Sequence, residues 1–358
     1  MSKRLITIIV TVYNIAPYLE RFFECLKAQT FEDYMALIID DGSTDNSLSV
    51  CENHAAQDDR IRVVHLEHVG ISQARNIALS MLDTPFTTSL DGDDYFDKDY
   101  LKHLIDAQHK YNADMVISNV IFRNEALEET SRFVARSEEL FEGEQIRQVL
   151  PALLAENRLN YLYGRLYRTE PLKDVRVEPD VMQGSDTVIN CQYVVKINSI
   201  AVIENYDYNY IRYKSRSVTS YKGDEYFSRL LRLNLYVRDL MRRKGFYTPE
   251  MEEAIDVRIL FTGRAALQRI AGAPLPTNEK HKRASQVAQN EEYSASYERQ
   301  KAKASELYFR VIPPDEALAY IDETAAVYRD AENDAKKEKM RGKIPKPLLK
   351  LYRKMRNH

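Results

Sequence analysis

The chain is expected to adopt an α/β fold with a mostly parallel central sheet, followed by a helical carboxyl-terminal region. Three observations predict this. Apolar, β-branched strand patterns alternate with helix patterns over about the first 120 residues, their connections are short, and helical periodicity alone continues from Asp224. Short connections between alternating elements favour parallel strands covered on both faces.

Leu5 to Val12 is apolar and β-branched and reads as the first strand; Thr7 and Thr11 interrupt it, so it is not taken for a signal peptide despite the basic start. Tyr13-Asn14 follows, then Ala16-Pro17, with proline suited to a first helical turn. Leu19, Phe22, Phe23 and Leu26 recur at i, i+3, i+4 and i+7 and mark a one-faced helix. Met35 to Ile39 is a second strand, and Asp40-Asp41-Gly42-Ser43-Thr44-Asp45 supplies a turn and a cap for a helix through Cys51. Ile61 to Leu66 is a third strand, with His68-Val69-Gly70 as its turn; Ala74, Ile77, Ala78 and Met81 are the buried face of the next helix. Pro85 to Leu90 is a fourth strand that stops at Asp91-Gly92-Asp93-Asp94. Leu101, Leu104 and Ile105 mark another helix, and Met115 to Val120 another strand.

The abrupt stop at Asp91 to Asp94 calls for a chemical reason. Ligands bind at the carboxyl ends of strands in open α/β sheets. Asp91 and Asp93, separated by a flexible glycine, can face one hard dication that also holds phosphate oxygens. Taken alone, the stretch reads better as an Asx-rich turn capping the next helix. Likewise Tyr13 can be a core aromatic, Asp40-Asp41 a cap and Arg75 a surface charge. The topology, however, brings Thr11 to Asn14, Asp40-Asp41 and Asp91 to Asp94 to one sheet edge, where carboxylates repel unless a cation or ligand compensates them.

Composition bounds the rest. The 358 residues, 44% hydrophobic and 29% charged, suit a soluble protein of two domains. Cys25, Cys51 and Cys191 form no close pair, which excludes a disulfide framework or Cys-x-x-Cys zinc site and makes a cytoplasmic setting the default. No apolar run approaches the roughly 20 residues that span a bilayer. His65 and His68 have no third ligand at metal spacing and are left out of the site. Residues 336 to 358 hold ten Lys or Arg against one Glu, or +9, which leaves the remainder at -12 for a total of -3.

Four motifs carry a resemblance. Val10-Thr11-Val12-Tyr13-Asn14, Ile39 to Asp45, Gly70-Ile71-Ser72-Gln73-Ala74-Arg75-Asn76 and Leu90 to Asp94, in this order and spacing, resemble the family 2 inverting glycosyltransferases of GT-A fold, bacterial capsule and exopolysaccharide enzymes among them. The likeness continues more weakly through Leu162 to Arg168, Gln183-Gly184-Ser185-Asp186 and Tyr208 to Arg212. The resemblance implies that Thr11, Tyr13 and Asn14 line a nucleoside pocket and that Asp41 accepts the imide N–H of uracil. It further places Arg75 near the diphosphate, Asp91 near the ribose or donor sugar, and Asp94 where it positions the loop or the donor sugar. Asp93 would coordinate Mg²⁺ or Mn²⁺.

Inversion requires a carboxylate opposite the leaving group to take the acceptor proton. The family commonly has Gly-Glu-Asp there; this chain has Gly184-Ser185-Asp186, so Asp186 is the expected base, although Ser185 or Asp186 would also serve as a helix cap. The chain has no tryptophan, whereas processive members carry Gln-x-x-Arg-Trp, so a single transfer per encounter is expected. The implied partners are a UDP-sugar donor and a glycan or lipid-linked glycan acceptor. Two rivals stand beside this reading. A nucleotidyltransferase would want a glycine-rich phosphate loop after the first strand, which Val10 to Asn14 lacks; a non-catalytic relative would bind nucleotide-sugar without transferring it.

The expected organisation is a glycosyltransferase domain over 1–220, a helical domain over 221–335 and a basic tail over 336–358. In the helical region Leu230, Leu231, Leu235, Ala254, Val257 and Leu260 mark helices broken at Gly272-Ala273-Pro274-Leu275-Pro276, a bundle suited to acceptor binding or to contact with a second copy. In the tail, Leu348, Leu351, Tyr352 and Met355 share one face and Lys350, Arg353, Lys354 and Arg356 the others. Such a helix either lies on an anionic membrane, at the inner face for a cytoplasmic enzyme, or packs on the bundle; vesicle binding by a chain truncated at 335 distinguishes the two. Confinement of basic residues to one tail of an acidic body argues against nucleic acid.

Overall fold

A computed structural model describes residues 4–132, 138–178, 184–213, 225–306 and 311–340. The basic helix expected around Leu348 to Met355 lies outside these residues, as does Gln183. The chain divides into two compact units, Met1–Val218 and Thr219–His358. Among the described residues no helix is long and apolar enough to cross a membrane.

The first unit runs β1 (Ile6–Val12), α1 (Ala16–Lys27), β2 (Tyr34–Asp40), α2 (Ser47–Ala55), β3 (Ile61–His65), α3 (Ile71–Ser80), β4 (Phe86–Asp91), β5 (Tyr95–Phe96) and α4 (Tyr100–Tyr111). It continues through β6 (Met115–Ile117), β7 (Val120–Asn124), β8 (Glu129–Arg132), β9 (Glu139–Glu142), α5 (Glu144–Ala155), β10 (Arg165–Arg168), α6 (Thr169–Leu172), α7 (Ser185–Val194), β11 (Ser199–Val202) and β12 (Tyr208–Arg212). The main sheet has the order β3-β2-β1-β4-β10-β6-β11-β9. Its first four strands are parallel, β10 enters antiparallel between β4 and β6, and β11 returns parallel to β6. A second sheet has the order β5-β12-β7-β8.

Helix α1 forms as its pattern predicts. Proline stands in the first turn, and Leu19, Phe22, Phe23 and Leu26 are its four buried residues. They pack on Ile6, Ile8 and Val10 of β1, also buried, in the core shared with β2 and α4. One expected strand is corrected. Met115 to Val120 breaks at Ser118-Asn119, and its halves join different sheets. The Ser118 amide donates to the Gly164 carbonyl and the Asn119 amide to that of Asn205, which takes both out of either ladder and turns the chain from one sheet to the other.

The second unit comprises α8 (Glu225–Arg243), α9 (Pro249–Gly272), α10 (Thr277–Ala288), α11 (Glu291–Gln300) and α12 (Ala317–Met340). Helix α9 is central and packs against the other four. It begins at Thr248, whose hydroxyl accepts from the Met251 amide, and ends at Gly272, where the glycine and two prolines interrupt the pattern. Asp256 on α9 is 1% exposed and accepts from Ser296, Arg299 and Gln300, so its charge is fully paired inside the bundle.

Candidate active site

Parallel register places the polar strand ends side by side. Thr11 lies opposite Ile39 on one flank and Asp91 on the other, Val12 pairs with Asp40, and Asp40 pairs with His65. The clusters at Thr11 to Asn14, Asp40-Asp41 and Asp91 to Asp94 therefore share one edge.

Tyr13 is not a core aromatic. It is 44% exposed and stacks on the His68 ring at 4.3 Å between centroids and 21° between planes. His68 Nδ1 lies 3.0 Å from the Asp41 carbonyl oxygen, so this nitrogen donates and the ring is held beneath Tyr13. His68 is a site residue that sequence reasoning missed, because nothing in its local spacing announces a stacking partner 55 residues earlier. The Asp41 carboxylate accepts from the amides of Val69 (2.7 Å) and Gly70 (3.0 Å), and it is 5% exposed. An imide N–H arriving there would share oxygens that already anchor the turn into α3; each carboxylate oxygen has lone pairs for more than one donor.

Asn14 serves the turn. At φ 53 it accepts on Oδ1 from the Thr44 (2.7 Å) and Asp45 (3.2 Å) amides, while its own amide donates to Ser43 Oγ at 3.0 Å. Its side chain thereby joins the end of β1 to the turn after β2, next to Tyr13.

The acid loop is held from three sides. Asp94 is fully buried; its Oδ1 accepts from the Ile211 amide and its Oδ2 from the Tyr208 hydroxyl, both at 2.7 Å. The Tyr208 hydroxyl also accepts from the Asp91 amide at 3.1 Å. The Asp93 carbonyl accepts from Arg21 Nη2 at 2.6 Å and the Tyr213 hydroxyl at 3.0 Å. Gly92 packs so closely on α1 that a Cβ there would lie 2.7 Å from Ile15 Cδ1. Burial and the charges of Asp91 and Asp93 push the Asp94 carboxyl well above the usual carboxylate range. Burial and Asp93, only partly offset by Arg75, push Asp91 up to about 7.

Asp186 stands in the first turn of α7, after Gly184 at φ 85. Neither Ser185 nor Asp186 is the cap; Gly184 occupies that position. Arg75 from α3 donates to both the Ser185 hydroxyl and the Asp186 carboxylate, and this ion pair is largely shielded, with side-chain exposures of 11% for Arg75 and 21% for Asp186. Beneath it Arg165 is buried, and its Nη1 donates to the Tyr163 carbonyl at 2.7 Å.

The acid loop suits a dication that brings most of its own ligands. Hard dications prefer carboxylate oxygens, and Asp91 shows the excess negative charge such an ion would relieve. Among the described residues no three His, Cys, Asp or Glu side chains converge as a metal set, so the protein would contribute one or two carboxylates, as is usual for Mg²⁺ held together with substrate phosphates.

Residues 7–175 match the family model described as glycosyl transferase family 2. The glycosyltransferase GlyA of Streptococcus pneumoniae is 28% identical over 198 residues, covering 52% of this chain and 27% of that protein. GlyG of the same organism is 35% identical over 118 residues, covering 33% of this chain and 39% of GlyG. The chain thus matches about a third of the length of these relatives. Among solved structures, residues 1–349 of S. aureus TarS align over 92% of this chain and 91% of that one, with a TM-score of 0.63 at 16% identity, a likeness of fold. The same TarS fragment in complex with UDP-GlcNAc aligns at a TM-score of 0.65 and 15% identity, over the same shares of both chains. The motifs at the sheet edge and the family match assign residues 7–175 to glycosyl transferase family 2, and the fold is like that of the TarS fragment.

Proposed function

We propose that the protein is an inverting glycosyltransferase that moves a hexose or N-acetylhexosamine from a UDP-sugar to an acceptor hydroxyl of a bacterial cell-surface glycan. The observation that carries this reading is the ion pair between Arg75 and Asp186, which joins the first turn of α7 to α3, the helix whose entry turn is held by the Asp41 carboxylate. The S. aureus TarS fragment has been solved with UDP-GlcNAc, which supports a uridine donor for a chain of this fold.

In this reading Tyr13, backed by His68, offers its exposed face to the base, and Asp41 accepts the imide N–H. Asp93, with Asp91, would hold Mg²⁺ or Mn²⁺, which supplies positive charge to the departing diphosphate. Arg75 exchanges partners: in the free protein it pairs with Asp186, and the donor diphosphate competes for its guanidinium. Release of Asp186 then supplies a base only when donor is present. The acceptor oxygen attacks the anomeric carbon as the carbon–oxygen bond to the diphosphate breaks. Asp186 takes the hydroxyl proton, and an α-linked donor gives a β-linked product.

Asp186→Asn tests the assignment. A positioned general base contributes about 10²–10⁴-fold, so transfer is expected to fall by about that factor, with UDP affinity retained within about threefold. Full transfer activity in the variant would refute Asp186 as the base; loss of UDP binding would show that it serves the donor instead. A wild-type protein that binds UDP-sugars but neither hydrolyses nor transfers them would favour the non-catalytic reading.

A further inference from the structure

Arg21 lies off the apolar stripe of α1 that Leu19, Phe22, Phe23 and Leu26 form, so side-chain period assigns it to solvent. In the fold it is partly buried against the acid loop and the residue that follows β12. Its Nη2 donates to the Asp93 carbonyl at 2.6 Å and to the Tyr213 hydroxyl oxygen at 2.9 Å, and the Tyr213 hydroxyl donates to the same Asp93 carbonyl at 3.0 Å. The bonds close a triangle on one main-chain oxygen. Helix α1 grips Tyr213 at a second point, since the ring of Tyr18, one turn before Arg21, packs on the Tyr213 ring at 4.4 Å and 45°. The Arg21 guanidinium also stands 5.6 Å from the ring of Tyr95, the residue next to Asp94.

Stability alone does not account for this pose. Arg21 Nε is buried and has no hydrogen-bond partner among the described residues, and an unpaired buried donor is unfavourable. What the pose does fix is the main chain of Asp93. A carbonyl that accepts from two donors, one of them charged, cannot turn without breaking both bonds, which sets the peptide plane between Asp93 and Asp94. The two ends of the loop are anchored separately, the Asp91 amide by the Tyr208 hydroxyl and the Asp94 carboxylate by the Ile211 amide. Gly92 and Asp93 lie between those anchors, and Arg21 and Tyr213 take hold there.

Two effects of Arg21 on a nearby dication oppose each other. Its positive charge repels the ion. Outer groups that orient a metal ligand strengthen binding, by about 10–100-fold in affinity. The Arg21 bond ends on the Asp93 carbonyl, so the guanidinium does not compete with a metal for the carboxylate oxygens, and the orienting effect is expected to win.

We propose that Arg21 is a positioning residue for the donor's metal: together with Tyr213 it fixes the Asp93 main chain, and so holds the Asp93 carboxylate in place for a dication bound with the diphosphate. This rests on the transferase reading above, in which Asp93 is the metal ligand. Arg21 then acts on the metal-dependent share of UDP affinity and not on the share that comes from the base pocket.

The test titrates UDP into the full chain by calorimetry, once with Mn²⁺ and once with EDTA. Wild type is expected to bind UDP more tightly with Mn²⁺. Arg21→Met keeps the length of the side chain without its donors; it is expected to weaken binding about tenfold with Mn²⁺ and to leave binding with EDTA within about twofold. Arg21→Lys keeps a charged donor and is expected to recover most of the loss. Tyr213→Phe removes one of the two donors to the carbonyl and is expected to cost about threefold, again with Mn²⁺ only; it carries the test should Arg21→Met fail to fold. A Mn²⁺ enhancement that is unchanged in both variants, or that grows in Arg21→Met as simple repulsion would have it, would overturn the proposal. So would equal losses with Mn²⁺ and with EDTA, which mark a general structural role. A wild-type protein with the same UDP affinity under both conditions would overturn the metal reading and the proposal with it, and one that binds no UDP would overturn the transferase reading itself.

Discussion

The packing of Gly92 on α1 makes the position of the acid loop a quantitative matter. A Cβ at residue 92 would lie 2.7 Å from Ile15 Cδ1 and 3.3 Å from Leu19 Cδ2, and both side chains are buried. Gly92 is not among the glycines with positive φ, so alanine is compatible with its backbone and gains about 0.4–1 kcal/mol from the unfolded state. Overpacking in a closed core costs about 1–3 kcal/mol. Gly92→Ala is therefore expected to destabilise the first unit by about 1–2 kcal/mol. Because Asp91 and Asp93 flank the site of strain, it is also expected to weaken metal-supported UDP binding. Ile15→Val deletes the atom nearest the new methyl group and by itself costs about 0.5–1.5 kcal/mol. The double variant should be less destabilised than the sum of the singles by about 1 kcal/mol, a coupling typical of residues in contact. Urea unfolding followed by circular dichroism measures the stabilities, and calorimetric titration of UDP with Mn²⁺ measures the second effect. Strict additivity, or an unchanged UDP affinity in Gly92→Ala, would refute the claim that this contact sets the loop.

Two further substitutions probe the scaffold. Gly263 on α9 faces Tyr293, whose ring atoms would lie 2.1 to 2.9 Å from an added Cβ and whose hydroxyl donates to the Ile312 carbonyl at 2.6 Å. Gly263→Ala is expected to lower stability by about 3 kcal/mol, where an open helix would gain about 1 kcal/mol; a raised melting temperature would contradict this close approach. Arg60 beside Asp58 forms two hydrogen bonds to its carboxylate, at 2.9 and 2.8 Å, and holds its carboxyl below the usual carboxylate range. A carboxyl lowered by folding stabilises above its unfolded value of about 3.9 and loses that contribution as pH falls through the folded value. Asp58→Asn should therefore cost about 1 kcal/mol at pH 7 and progressively less as the medium is acidified below about pH 4. Urea midpoints for both proteins across that range check the sign, and a gap that widens on acidification would contradict it.

The sequence by itself determined the alternation of strands and helices, the one-faced α1, the break after α9 and the gathering of three polar clusters at one sheet edge. These follow from local rules: side-chain period sets the element, proline and glycine set its ends, and parallel strands must present their carboxyl ends together. Tertiary structure decided what local rules cannot reach. Asn14 turned out to support the β2–α2 turn because Thr44 and Asp45 come within hydrogen-bonding distance only after folding. His68 joined the site because Tyr13 lies on it, and Met115 to Val120 became two strands because Gly164 and Asn205 captured its central amides. Arg75 met Asp186 across 110 intervening residues. In the same way Tyr163 and Tyr210, which the sequence shows only within two weakly matching stretches, meet as stacked rings only after folding. Periodicity is a one-dimensional signal that fixes which face a residue occupies. The partner across that face depends on how distant segments are brought together, and it is these partners that distinguish a binding residue from a structural one.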